Sequence, residues 1–131
     1  MPSERTENSM EEKETVLHYG RVSIEPGEDG SCRFFLRGEL DHHSVKEIRE
    51  VIDGKLIDYR PLKVILDLHE VSFSDSAGLG LILGRYTRVR DYGGSLTLVN
   101  VSEDFMKILR LAGADRFLTI EQSKKKIKAT V

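Results

Sequence analysis

The chain has 131 residues, a length that fits one domain, with 39% hydrophobic and 32% charged residues. Its formal net charge of −2 gives no bulk attraction to nucleic acid or to anionic lipid. No apolar run approaches the about 20 residues that a membrane span requires, so we expect a cytoplasmic protein without direct nucleic-acid or membrane partners.

Residues 1–14 are almost entirely polar, with five glutamates and no apolar run that could serve as a signal peptide. Such a stretch cannot bury enough apolar surface to offset the entropy of ordering it. We therefore predict a disordered acidic tail over 1–14 and one domain over 15–131. The alternative is that the tail is a remnant foreign to the native protein.

The domain begins with extended patterns followed by a helical one. Apolar residues over 16–24 predict an extended segment, a turn follows at 26–30, and 32–37 predicts a strand inside the sheet. Cys32 is the only cysteine, which excludes an intramolecular disulfide, and its setting indicates a buried thiol. Ser44 followed by Glu47 is a capping-box pattern that starts a helix. The apolar face of this helix carries Val45, Ile48, Val51, Ile52 and Leu56.

Pro61 ends that helix, and 64–68 is short, apolar and β-rich, as in a strand buried on both faces. A second helix is predicted over 76–92, followed by a glycine pair and by a strand over 95–99. The inner face of this helix is predicted to carry Leu79, Ile82, Leu83, Tyr86 and Val89.

Ser102 is predicted to cap a third helix, 117–120 to form a last strand, and Ser123 to cap a terminal helix. The third helix has core spacing at Phe105, Ile108, Leu109 and Ala112. Strands that alternate with helices predict an α/β fold with a mainly parallel sheet, or an α+β fold if the helices gather on one face.

The segment 73–80 has the pattern of a candidate functional site, because it lies between a buried strand and an amphipathic helix. Asp75 is placed to cap the helix, which leaves Ser76 at the first helical position with its hydroxyl facing outward. We expect free N–H groups there to tolerate an anion, so a phosphate on Ser76 would present about two negative charges to a partner without melting the domain. The alternative is that Asp75 and Ser76 form only a helix cap.

Several other kinds of site are disfavoured by the sequence. Ser76 with His42 or His43 as base could form a hydrolase site if both segments share one end of the sheet, but the nucleophile elbow is absent. Adjacent histidines diverge and lack zinc spacing, so we expect no metal. The basic cluster 124–128 is typical of a solvated helix end.

A nucleotide site is a further alternative, raised by the glycines at 78, 80 and 84. A dinucleotide fingerprint needs its third glycine at position 83, which is Leu83, and no phosphate-loop lysine follows. We therefore predict no cofactor, while weak nucleotide binding stays open. The glycines are better explained by a close approach between the helix and the sheet or a partner.

Two blocks of this sequence resemble the signature blocks of the STAS domain, and the later Gly93-Gly94 also fits. The resemblance covers the chain from about Val16 onward and is strongest with the bacterial anti-sigma factor antagonists, especially those of sporulation in Firmicutes. It implies a single STAS-like domain with a mixed, mainly parallel sheet of four to five strands and about four helices. The blocks are Gly38-Glu39-Leu40-Asp41-His42-His43 and the run from Phe73 to Tyr86.

This resemblance implies a partner-switching protein rather than an enzyme. In the family, the unphosphorylated antagonist binds an anti-sigma factor that is a serine kinase, which frees the sigma factor. Phosphorylation of the serine after the aspartate, here Ser76, releases the antagonist, and a PP2C-type phosphatase restores it. Ala77 departs from the sporulation antagonists that the chain resembles, which have a second serine there.

The partner-binding residues that the resemblance and the local pattern suggest are Asp41, His42, Asp75, Ser76, Gly78 and Leu79. The main alternative lies inside the same superfamily, as a STAS module of another partner-switching or stress-signalling system. A transporter module is disfavoured, because no membrane segment precedes the domain in this sequence.

Overall fold

A six-stranded mixed sheet organises residues 16–122, the part of the chain that the computed structural model describes. The strands are β1 Leu17–Tyr19, β2 Val22–Pro26, β3 Ser31–Leu40, β4 Lys63–Ser74, β5 Ser95–Val99 and β6 Thr119–Glu121. The helices are α1 Val45–Tyr59, α2 Ser76–Asp91 and α3 Glu103–Leu111, with a 3-10 turn at Ala114–Arg116. The predicted acidic tail, the predicted helix at Ser123 and the basic cluster 124–128 lie outside the described residues.

The strands lie in the sheet in the same order as in the chain. β1, β2 and β3 are antiparallel neighbours, whereas β3, β4, β5 and β6 pair in parallel. Because parallel crossovers are right-handed, consecutive parallel neighbours place α1, α2 and α3 on the same face of the sheet. Burial in β3 agrees: Cys32, Phe34 and Leu36 are at most 1% exposed, while the residues between them are partly exposed.

The prediction of an α/β fold with a mainly parallel sheet is confirmed, and its helices gather on one face. The element counts differ from those expected. The first extended segment is divided into β1 and β2 by a turn at Gly20, whose φ of +62° favours glycine, so the sheet gains a strand. Within residues 16–122 there are three α-helices rather than about four.

The core lies between the sheet and the three helices. Its fully buried side chains come from every layer and include Ile24, Phe34, Ile52, Leu66, Ile82, Leu98 and Leu109. Cys32 belongs to this core, and burial raises the pKa of its thiol to about 11. The prediction of a buried thiol is therefore confirmed.

The predicted capping box at the start of α1 is wrong, although the helix does begin just after Ser44. Ser44 has helical backbone angles, and its hydroxyl donates to the carbonyl of Glu39 instead of capping α1. The Asp41 carboxylate stabilises this turn, because its Oδ1 accepts hydrogen bonds from the N–H groups of His43 and Ser44, each at 3.0 Å. An Asx-type turn therefore leads into the helix in place of a capping box.

The predicted inner face of α2 is incomplete. Ile82 and Val89 are buried as predicted, and Leu79, Leu83 and Tyr86 are partly buried and pack against the core. The prediction missed Gly78, Leu81 and Arg85, which are also buried.

Arg85 is an unexpected core residue, with a side chain only 7% exposed between α2 and α1. Its Nε lies 2.9 Å from Oδ1 of Asp53, and Nε of Arg88 lies 3.3 Å from the same oxygen. The close Arg85 contact is not aligned as a hydrogen bond, and Nη1 of Arg85 has no partner among the described residues. Desolvation lowers the pKa of Arg85 while Asp53 opposes that shift, so the ion pair compensates a charge that burial makes unfavourable.

Replacing Asp53 by alanine should lower the free energy of unfolding by about 3 kcal/mol, since it leaves the Arg85 guanidinium buried without a counter-charge. Combining Asp53→Leu with Arg85→Met should recover most of this loss, because an apolar pair needs no compensation. Urea denaturation measures both, with Asp58→Ala, an exposed position on the same helix, as the control. Equal decreases in the free energy of unfolding for Asp53→Ala and Asp58→Ala would contradict this explanation.

Asp67 organises a polar cluster on the sheet face away from the helices, where its side chain is 3% exposed. Its Oδ2 accepts from Nε and Nη2 of Arg33 at 3.2 and 2.7 Å. Its Oδ1 accepts from the backbone N–H of His69 and from Nδ2 of Asn100, both at 3.1 Å. Burial raises the pKa of Asp67, but the hydrogen bonds from Arg33, His69 and Asn100 outweigh it and hold the pKa below 3.8.

Stability should therefore fall in acid as Asp67 takes up its proton. A carboxyl whose pKa is lowered by folding stabilises the fold above its unfolded pKa, and this contribution disappears as the pH drops below about 4. Asp67→Asn should cost about 2 kcal/mol at pH 7 and flatten the pH dependence of unfolding between pH 5 and 2. Denaturation at several pH values tests this, with the exposed Asp115→Asn as the control whose pH profile should match the wild type.

Candidate functional site

The two sequence blocks meet at the carboxyl ends of two neighbouring strands, β3 and β4. β3 and β4 pair in parallel as far as Leu40 opposite Ser74, and the N–H of Asp75 donates to the carbonyl of Leu40 at 3.3 Å. β4 is thus longer than the predicted 64–68, because β3 continues beside it beyond the core. Since the strands are parallel, α1 and α2 both begin at this end, and the expectation that the blocks share one end of the sheet is confirmed.

Asp75 is the N-cap of α2, as predicted. Its Oδ1 accepts from the N–H of Ala77 at 2.8 Å. Its carbonyl oxygen accepts from the N–H groups of Gly78 and Leu79 at 3.0 and 3.3 Å. The expectation that these N–H groups are free for an anion is therefore wrong: Asp75 already satisfies them, and an anion on Ser76 would lie beside a carboxylate.

Ser76 is the first residue of α2, and it is exposed to solvent. Within the described residues its hydroxyl forms no hydrogen bond, neither to Asp75 nor to His42 or His43. The serine–histidine pair that a hydrolase site needs is therefore not formed. The Ser76 hydroxyl is therefore open to solvent and uncommitted within residues 16–122.

Asp41 is used by the structure as a turn residue rather than as a free surface carboxylate. The N–H of Ser44, followed by the other hydrogen bonds of this turn, lowers the pKa of Asp41 below its usual value. The same turn leaves the side chains of His42 and His43 exposed, with their rings in edge contact at 5.6 Å. Asp41 thereby fixes the position of the two histidines next to the start of α1.

Gly78 is buried, so the structure corrects the expectation that it offers contact area to a partner. A Cβ on Gly78 would lie 3.1 Å from Cβ of Leu40 and 3.3 Å from its carbonyl oxygen, and it would clash with the Ser74 hydroxyl. This glycine lets the first turn of α2 pack directly on the end of β3. The close packing at Gly78 holds Ser76 near the carboxyl end of β3.

Gly80 and Gly84 have the opposite setting, because an added Cβ on either would meet nothing within 4 Å. Gly80 is exposed, and Leu79 and Leu83 beside them are partly buried. Both glycines lie inside α2, whereas phosphate-binding glycines lie in a loop before a helix, so the geometry gives no support to the nucleotide alternative. They leave a stretch of helix backbone open to a partner.

Phe73 was assigned no role from the sequence, yet its side chain is 54% exposed three residues before Ser76. The register between β3 and β4 shifts at this point, since Gly38 pairs with Val71 but Glu39 pairs with Phe73. β4 therefore contains an additional residue, Ser72, and both Ser72 and Phe73 are exposed. A sequence does not reveal such a bulge, because it depends on how two strands pair.

Among residues 16–122, no group of three or more His, Cys, Asp or Glu side chains is placed to hold a metal ion. In the same part of the chain, none of the helices combines the length and the apolarity needed to cross a bilayer.

Comparison with known proteins places this geometry in a family. Residues 24–127 match the STAS domain. An anti-sigma F factor antagonist of Lysinibacillus sphaericus is 33% identical over 99 residues, which cover 73% of this chain and 85% of the relative. An anti-sigma-B factor antagonist of Bacillus subtilis (strain 168) is 32% identical over 85 residues, which cover 65% of this chain and 76% of the relative.

Solved structures agree with the sequence relatives. The anti-sigma factor antagonist SpoIIAA in its unphosphorylated form matches with a TM-score of 0.64 and 26% identity, over 83% of this chain and 94% of that one. The Bacillus cell fate determinant SpoIIAA in its phosphorylated form matches with a TM-score of 0.63 and 27% identity, over 84% and 99%. The chain therefore belongs to the STAS domain family and, within it, to the anti-sigma factor antagonists.

Proposed function

We propose that this protein is an anti-anti-sigma factor that works by partner switching in the cytoplasm. Its unphosphorylated form binds an anti-sigma factor that is a serine kinase, and this frees the sigma factor. The kinase phosphorylates Ser76, the phosphorylated form is released, and a PP2C-type phosphatase restores the first state. The observation that carries the proposal is the exposed Ser76 hydroxyl, which is free of hydrogen bonds at the first position of α2.

The surface around Ser76 supports docking to a protein rather than chemistry inside the domain. Ser76 is exposed, His42 is exposed beside the turn that Asp41 fixes, and Leu79 is only partly buried. We assign the contact surface to these residues together with Asp75, while Gly78 supports it from beneath. Anti-sigma factor antagonists are regulatory binding proteins rather than enzymes, which agrees with the unpaired serine.

The local electrostatics explain how a phosphate would switch this surface. Asp75 keeps its hydrogen bonds to the start of α2 whether or not Ser76 is modified, so the fold has no reason to change. The phosphate adds about two negative charges beside the Asp75 carboxylate and needs its own hydration. A partner that fits closely against the hydroxyl loses that fit. The relative solved in both phosphorylation states matches this chain equally well in each, which supports a switch without refolding.

Two branches of the family, named for different sigma factors, are candidates for the branch to which this protein belongs. The sequence runs at 41–43 and 79–86 favour the sporulation branch, so we propose that role first. The general stress-response branch is the second candidate, since the sigma-B relative has nearly the same identity as the sigma-F relative. Affinity for purified anti-sigma F and anti-sigma B kinases discriminates the two, and tighter binding to the second would reassign the protein.

Incubation with the cognate anti-sigma kinase and ATP should add one phosphate to the protein. Intact-mass spectrometry with peptide mapping should locate it on Ser76, and Ser76→Ala should remove it, whereas the exposed Ser72→Ala should leave it in place. Absence of the phosphate while the complex still forms would reject the switch in favour of constitutive binding.

Ser76→Asp should weaken kinase binding at least tenfold while leaving the melting temperature unchanged or slightly raised. An acidic residue at the first helical position interacts favourably with the helix dipole, and it places a charge where the partner fits. Ser76→Ala should bind like the wild type and stay bound in the presence of ATP. Calorimetric titration and thermal unfolding measure both effects, and wild-type affinity in Ser76→Asp would refute the electrostatic explanation.

Gly80→Ala separates stability from binding. Alanine is favoured over glycine in a helix by about 1 kcal/mol, and there is open space for its Cβ, so the protein should become more stable. The same methyl group should weaken kinase binding, because it covers open helix backbone next to Leu79, which we assign to the contact surface. Gly54→Ala in α1 has equally open space and should stabilise the protein without affecting binding. Identical affinities for the two variants would exclude Gly80 from the interface.

A further inference from the structure

Phe73 is a large exposed apolar side chain two positions before the Asp75 cap. Its side chain is 54% exposed, whereas the other apolar side chains of β4 are buried or partly buried. An aromatic side chain of this size normally buries most of its surface. No packing requirement of the described core explains why phenylalanine stands at this exposed position.

The exposure of Phe73 results from two irregularities in the pairing of β4 with β3. Phe35 pairs with Asp67 and Arg37 with Glu70, so β4 uses one residue more than β3 between these two pairs. A second shift of the same kind lies between Gly38 and Glu39. Each shift gives β4 one additional residue, which alters the side toward which the following side chains point. Gly38 has a φ of +83°, a conformation that favours glycine and that fits an irregular strand pair.

Phe73 lies close to the phosphorylation site proposed above. It stands three positions before Ser76, so at most about 10 Å lies between their Cα atoms. An enzyme that binds around Ser76 is therefore near enough to contact the Phe73 ring. Bulges beside functional sites commonly re-aim a side chain, and exposed aromatic residues are enriched among those that dominate protein interfaces.

We infer that Phe73 is the apolar anchor of the docking surface and inserts into a nonpolar pocket beside the active site of the anti-sigma kinase. This inference rests on the proposed function, because it takes that kinase as the partner. It also gives the phosphate a second effect on binding. A phosphate on Ser76 retains bound water, and this hydration disrupts the dry contact around the ring.

The test compares Phe73→Ala with Phe117→Ala, a phenylalanine of nearly equal exposure (50%) that follows α3. Phe73→Ala should weaken kinase binding at least tenfold, which corresponds to about 1.4 kcal/mol, and Phe117→Ala should bind within twofold of the wild type. The KM for phosphorylation of Ser76 should rise while kcat changes little, because the ring contributes binding and no chemistry. Phe73→Lys, which suits an exposed position, should weaken binding further.

Urea denaturation of each variant shows whether the fold is retained, and only folded variants enter the comparison. If the wild type binds and is phosphorylated on Ser76 while Phe73→Ala and Phe73→Lys bind equally well, the inference is overturned and the proposed function stands. If the wild type itself neither binds the kinase nor accepts phosphate, the proposed function fails and the anchor role fails with it.

Discussion

The position of Ser76 depends on the parallel pairing of β3 and β4 beyond the hydrophobic core. The two strands continue to Leu40 and Ser74, and the hydrogen bond from Asp75 to Leu40 joins the start of α2 to the end of β3. Gly78 permits this approach, since a Cβ there would clash with the Ser74 hydroxyl and lie tight against Leu40. The exposed turn at Asp41 and the cap at Asp75 are therefore held side by side by backbone geometry rather than by contacts between their side chains.

The sequence was sufficient to predict the alternation of strands and helices, the cap at Asp75 and the outward position of Ser76. These features depend on local patterns, namely apolar periodicity and the chemistry of the first helical turn. The capping box at Ser44 was wrong because Asp41 takes the Ser44 N–H that the box would use, while the Ser44 hydroxyl donates to Glu39. A single sequence does not show which of these partners prevails. Phe73 was missed for a different reason, since its exposure depends on the register between two strands.

Arg85 shows the same limit of prediction from sequence, this time in the core. An arginine within a helical pattern is normally assigned to the solvent face, and the apolar residues around it predicted a different inner stripe. Arg85 lies inward, where Asp53 on the neighbouring helix supplies the counter-charge that compensates its burial. Leu79 and Leu83, in turn, are partly buried and pack against the edge of the core. A sequence pattern does not show this arrangement, because the counter-charge comes from another helix.

The Asp75 cap has a consequence for the speed and reversibility of the switch that we propose. Because Asp75 itself satisfies the N–H groups at the start of α2, modification of Ser76 would require no rearrangement of this cap. In the proposed scheme, the record of the signal is a single covalent bond on an unchanged scaffold. The response time would then be set by encounters with the proposed kinase and phosphatase, with no folding barrier in either direction. The core would also stay closed through repeated cycles, so switching would not add to the exposure of buried chain to proteolysis.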